Sequence, residues 1–196
     1  MKIRTLLSAA FVFAVPPSAF AQSTVTEGEI LKSLAGGGQA VASVGVDILA
    51  LRNDIAARIK AEGKGTENAT GAPPGLQALA TLPNLTLVIE FDLDSDRIRP
   101  QSYPAIARIA DALHHPVLLG YRFIVAGHTD AQGSRDYNFD LSQRRADAVV
   151  EALTTSFGIV PDRLGALGVG EEQLRNAADP NGAENRRVQL LNLGPL

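Results

Sequence analysis

The chain has 196 residues, a formal net charge of −3, three histidines and no cysteine. Without cysteine it holds no disulfide, no thiolate metal site and no cysteine nucleophile, and no acyl-bearing cysteine of a lipoprotein is expected. With 5% aromatic residues and a slight acidic excess, it lacks the basic signature of nucleic-acid binding, so no nucleic acid is expected as a partner.

Lys2 and Arg4 precede an apolar run at 6–15, then Pro16-Pro17, then the small residues of Ala19-Phe20-Ala21. This order reads as a secretory signal peptide over residues 1–21, cut before Gln22. The run is shorter than the roughly 20 residues a membrane-crossing helix needs. The expected location is therefore the periplasm, with association to the outer membrane left open. Loss of Lys2 and Arg4 with the signal would move the formal charge from −3 to −5.

Residues 22–81 read as a helical segment with a flexible linker. The polar stretch 22–29 suggests loose chain, and Gly36-Gly37-Gly38 is a break. Val41, Val44, Ile48, Leu51 and Ile55 then recur at alternating three- and four-residue steps, which predicts an apolar stripe on a helix over 41–59. Such a stripe packs either on the neighbouring domain or on a second copy. At about two heptads it is short for an independent coiled coil, so packing on its own domain is the favoured expectation. Recruitment of an envelope protein, or self-association, through this helix stays as the alternative. The Gly- and Pro-rich stretch 62–75 reads as a linker.

Residues 82–196 change character. Leu85, Leu87, Ile89 and Phe91 alternate with Thr86, Val88, Glu90 and Asp92, the period of a strand. A helix follows over 100–114, with Ile106, Ile109, Ala110 and Leu113 on one side, closed by Pro116 and Gly120. A second strand is expected over 122–126, a second helix over 141–157, a third strand over 164–169 and a last one over 187–193. Strand, helix, strand, helix, strand, strand is the pattern of a two-layer α/β sandwich, a small mixed sheet with helices on a face.

The segment densest in polar groups is Gly127-His128-Thr129-Asp130-Ala131-Gln132-Gly133, directly after a strand. Asn138, then Leu141-Ser142-Gln143-Arg144-Arg145-Ala146, and finally Asn185-Arg186-Arg187-Val188 complete the set. A carboxylate at a strand exit with a guanidinium on the next helix suits a zwitterion: the carboxylate takes an ammonium and the arginine a carboxylate. Helix geometry separates the two arginines. With Ala146, Val149, Val150, Leu153 and Phe157 on the buried side, Arg144 points away and Arg145 lies at the flank, half-buried and in need of a partner.

Phe91 with Ser95, the GHTD-x-x-G segment, Asn138, LSxRRA and NRRV together resemble the OmpA-like domain, over roughly residues 85–193. The resemblance implies an α/β sandwich that binds peptidoglycan through the diaminopimelate residue of its stem peptide, without catalysis and without a cofactor. It implies that Asp130 meets the amino group of diaminopimelate and Arg145 its carboxylate. Asp94 falls near a family position on the loop after the first strand, where asparagine is common. Thr129, Asn138 and Arg186 have weaker claims as wall residues.

Plainer roles stand beside these. Asp130 alone is a natural turn cap, and Asn138 is balanced between ligand contact and turn or helix-cap duty. Neighbours in a strand face opposite ways, so at most one of Arg186 and Arg187 reaches a given site. The His114-His115 pair lacks the spacing to share a metal, and His128 is read as shaping the site loop. Glu171 and Glu172 are read as solvated charges. A cell-wall hydrolase is the enzyme alternative, but no nucleophile with a base, metal cluster or opposed carboxylate pair is legible.

Overall fold

A computed structural model of the protein describes residues 25–36, 45–62 and 74–196. The expected signal peptide, Val41, Val44 and most of the expected linker lie outside the described residues. Among the described residues five α-helices and four strands run in the order α1 (Glu27–Leu34), α2 (Ile48–Glu62), α3 (Pro74–Ala80), β1 (Asn84–Leu87), α4 (Tyr103–His114), β2 (Tyr121–His128), α5 (Arg135–Glu151), β3 (Leu164–Gly170) and β4 (Val188–Pro195).

The strands form one mixed sheet in the order β1-β4-β2-β3. β4 pairs antiparallel with both β1 and β2, while β2 and β3 run parallel, joined by α5. Alternation sorts the strand residues between two faces. Leu85, Leu87, Phe123, Val125, Val188 and Leu190 face α1, α4 and much of α5. Ile124, Ala126, Leu167, Val169, Leu191 and Leu193 face the other way, onto α2 and α3. The expected β-α-β-α-β-β domain is thus present, and two helices of the N-terminal segment cover its second face.

Leu51 and Ile55 of the expected stripe, with Ile59 one turn on, are buried on that second face. This is the favoured packing, on the chain's own domain, and it buries Leu51, Ile55 and Ile59 against the sheet.

Four local expectations are revised. Residues 27–34 are helical rather than loose. Thr26 and Glu29 make a reciprocal capping box, and Ile30 and Leu34 are fully buried. Pro74–Ala80 is a helix that begins at the end of the expected linker, with Leu76 and Leu79 buried. β1 stops at Leu87, because the β1–β4 ladder ends at the pair Leu87 and Val188, and Phe91 instead makes an isolated bridge to Ile98. α5 starts at Arg135, six residues early, with the Ser134 hydroxyl accepting from the Tyr137 amide as N-cap.

α5 lies unusually close to the sheet. A Cβ on Gly168 would stand 2.5 Å from the backbone nitrogen of Gln143, and one on Gly127 would collide with the Ser142 carbonyl oxygen. Glycine at both positions lets the helix settle onto the strands. The Gln143 side chain then accepts from the Gly168 amide at 2.7 Å, and the Ser142 hydroxyl from the Gly170 amide at 2.8 Å.

Candidate functional site

The candidate residues gather at one edge of the sheet, where β2 and β3 end and β4 begins. A groove of about 400 Å³ runs there between the loop after β1 and the start of β4, lined by Phe91, Asp94, Arg145 and Arg186 among others.

The loop owes its shape to paired backbone. The Asp92 amide donates to the Arg97 carbonyl at 3.0 Å and the Arg99 amide to the Glu90 carbonyl at 2.9 Å. At its tip Asp94 has φ 55, a left-handed conformation that aspartate and asparagine tolerate better than most residues. That conformation gives a physical reason for an Asx residue at this position.

Arg145 rises from the middle of α5. Its guanidinium sits 5.0 Å from the Phe91 ring centroid, and Nε donates to the Ser95 carbonyl at 2.9 Å. No other nitrogen of this guanidinium has a hydrogen-bond partner among the described residues. Burial first, and the nearby Arg186 charge second, lower its pKa, opposed by Asp130 and Asp94. Arg144, one residue earlier, is exposed and reaches only Asp96, at 4.0 Å. The flank position inferred from helix geometry is therefore the one Arg145 occupies.

Asp130 is 7% exposed and reaches the groove through Arg186, whose NH1 donates to Oδ2 at 2.6 Å. Its Oδ1 accepts from the Gln132 amide at 3.2 Å, the turn bond anticipated for an aspartate after a strand. The two oxygens retain lone pairs beyond these bonds. Structure thus brings Asp130, Arg186, Arg145 and Asp94 together. Arg187 borders the groove too, against the expectation that only one of the two arginines reaches it, because β4 begins at Val188 and strand alternation does not govern them. Its guanidinium donates to the Gln173 carbonyl at 3.0 Å.

Thr129 and Asn138 are buried and do not line the groove. The Thr129 amide donates to the Gly170 carbonyl, tying the end of β2 to the end of β3. The Asn138 amide donates to the Asp130 carbonyl at 3.2 Å and to Glu171 Oε2 at 2.5 Å. Asn138 therefore fastens the Asp130 turn to the β3 end.

The reading of Glu171 and Glu172 as solvated charges is corrected. Glu172 forms a close ion pair with Arg135, its side chain only 5% exposed, and burial raises the Glu171 pKa against the pull of Asn138 and Arg135. Placing the helix start at 141 hid this pair, since Arg135 then belonged to a loop. His128 is 3% exposed, and neither ring nitrogen has a hydrogen-bond partner among the described residues. Burial and the Arg187 charge push its pKa down to about 3, with Gln189 pulling weakly upward. Among the described residues no three His, Asp or Glu side chains come together as a metal site, and no helix is long and apolar enough to cross a membrane.

The groove is thus lined by Arg99, Arg145, Arg186 and Arg187, by Glu90, Asp92 and Asp94, and by the Phe91 ring, with Asp130 joined to it through Arg186. The chain is 35% identical over 125 residues to outer membrane porin F of Pseudomonas aeruginosa, covering 62% of this chain and 35% of the porin. It is 33% identical over 124 residues to a peptidoglycan-associated lipoprotein of Legionella pneumophila, covering 62% of this chain and 68% of that one. The crystal structure of the peptidoglycan-associated lipoprotein from Burkholderia pseudomallei aligns at 29% identity and TM-score 0.45, over 53% of this chain and 87% of that one. The chain spans only about a third of the porin relatives. The OmpA family model matches residues 90–187, half of the sequence and all of the groove's named residues, and the chain belongs to the OmpA family.

Proposed function

We propose that this chain binds peptidoglycan non-covalently through the diaminopimelate residue of the stem peptide, and so anchors or stabilises the cell envelope from the periplasm. The observation that carries the reading is Arg145. A half-buried guanidinium, stacked on Phe91, keeps two terminal nitrogens without protein acceptors at a groove wall, and a ligand carboxylate is the partner such a group lacks. Asp130 and Asp94 supply the opposite charge for the amino group. Arg186 holds the Asp130 carboxylate in the free protein and shares it, or yields it, when the ammonium arrives. Thr129 and Asn138 support the turn.

Relatives from four bacteria carry peptidoglycan association in their names, which agrees with this reading. A hydrolase reading has no support of its own: the clustered carboxylates, Asp130 and Glu171, are each engaged by Arg186 or Asn138. Partner recruitment by α2 would use its outer face, where Leu49 is exposed.

Co-sedimentation with purified peptidoglycan tests the proposal. Asp130→Ala and Arg145→Ala are each expected to weaken binding by about tenfold or more, the loss of a charge-assisted hydrogen bond. Undiminished pull-down by both variants, folded, sinks the site.

A further inference from the structure

The opposite face of the same strands holds a second cavity, of about 220 Å³, roofed by α3. Leu76 and Leu79 from α3, with Val169 and Leu191 from the sheet, give it an apolar body. Its polar groups are Asn84, His128, Arg187, Gln173 and Gln189. Two of them are unusual. The His128 ring is 3% exposed, and apart from the Gln189 side chain, which pulls its pKa upward, no protein group partners either nitrogen. Arg187 is half-buried, bonds only to the Gln173 and Asn185 carbonyls and, at 3.4 Å, to the Gln189 amide oxygen. No carboxylate pairs with it among the described residues, and burial brings its pKa down to about 10.

A desolvated guanidinium bonded to neutral acceptors, beside a buried imidazole with no charged partner, borders a space whose apolar wall is leucine, valine and alanine. Neutral imidazole offers one N–H and one acceptor, and arginine offers a fork. Such a site selects an anion with a short branched apolar tail. We infer that the cavity beneath α3 binds a small aliphatic carboxylate, with Arg187 gripping the carboxylate, His128 donating one further hydrogen bond, and Leu76, Leu79 and Leu191 enclosing the tail. His128 and Arg187 border both this cavity and the groove of Arg145 and Arg186, so the two spaces share these side chains, while a ligand under α3 does not depend on the wall-binding reading. It needs α3, so the N-terminal segment completes it.

An NMR titration of the full chain, reading the Leu76 and Leu79 methyls, which line only the cavity under α3, tests it with isovalerate and with isovaleramide, its uncharged isostere. Isovalerate is expected to shift these signals saturably, and the amide to bind about tenfold more weakly or worse, the cost of a lost charge-assisted contact. Arg187→Gln should reproduce the amide's loss. Ala126→Leu, which places its own side chain in the cavity, should abolish the shifts. Excess meso-diaminopimelate should leave them in place. Equal binding of acid and amide, absence of saturation, or displacement by diaminopimelate each overturns the inference. Unchanged binding in an Ala126→Leu protein that still melts cooperatively does so too. Should either variant fail to fold, the acid and amide compared on the natural sequence decide alone.

Discussion

The two faces of the sheet are packed by different means. On one, α5 approaches so closely that Gly127 and Gly168 are needed, and side chains of the helix bond directly to strand amides. On the other, α2 and the seven-residue α3 lie over Ile124, Leu167 and Leu191 and leave a cavity between α3 and the strands. The difference shows where position is held tightly. Arg145 stands on the tightly seated helix, and Asp130 on a turn fastened by Thr129 and Asn138, so the groove's charges are fixed by the rigid face. The looser face has room for rearrangement.

The sharpest way to break this contrast is to force the tight face apart. Gly168→Ala should cost about 3 kcal/mol, the upper range for overpacking, because backbone rather than a flexible tip stands in the way. By displacing α5 it should also weaken peptidoglycan binding. Leu79→Ala, on the loose face, should cost about 2 kcal/mol, the low end for such truncations, since the short α3 can settle inward. It should leave peptidoglycan binding unchanged. Chemical denaturation with co-sedimentation measures both. Loss of wall binding in Leu79→Ala, or its retention in Gly168→Ala, would reverse the assignment of rigid and loose faces.

A smaller effect reports on the boundary between the faces. His128 is neutral in the fold, with its pKa lowered to about 3 by burial and Arg187, whereas an unfolded histidine takes a proton near 6.5. The unfolded state therefore binds more protons below that value. Stability should fall as pH drops from about 6.5 toward 3, by at most about 1.4 kcal/mol per pH unit from this group. His128→Gln should flatten that part of the profile. An unchanged acid limb in the variant would mean that the ring is not held neutral.

Much of the domain was legible because its signals are periodic. Ile106, Ile109, Ala110 and Leu113 fell on the buried side of α4, and the stripe through Leu51 and Ile55 found its sheet. The Arg144 and Arg145 distinction followed from helix geometry, whereas strand alternation failed for Arg186 and Arg187, which precede β4 and both border the groove. What was missed had weaker periodicity. The start of α5, Arg135 to Asp140, is mostly polar, and only Ser134 as a cap marked it. Thr26 and Glu29 were a capping signature inside a stretch read as loose by its polarity. α3 hid in a Gly- and Pro-rich run, although proline suits a first helical turn. In the site, the Arg186 and Asp130 pair joins residues 56 apart, and the Arg135 and Glu172 pair 37 apart. Such pairings depend on which strand ends meet, and local pattern does not contain that.

The most direct measurement is calorimetry of the protein with a stem peptide containing meso-diaminopimelate, beside the same peptide with that residue's side-chain carboxyl amidated. The account predicts saturable one-site binding of the acid, severely weakened both by amidation and in Arg145→Ala. Equal affinity for the two peptides, or binding unaffected in folded Arg145→Ala, would contradict it.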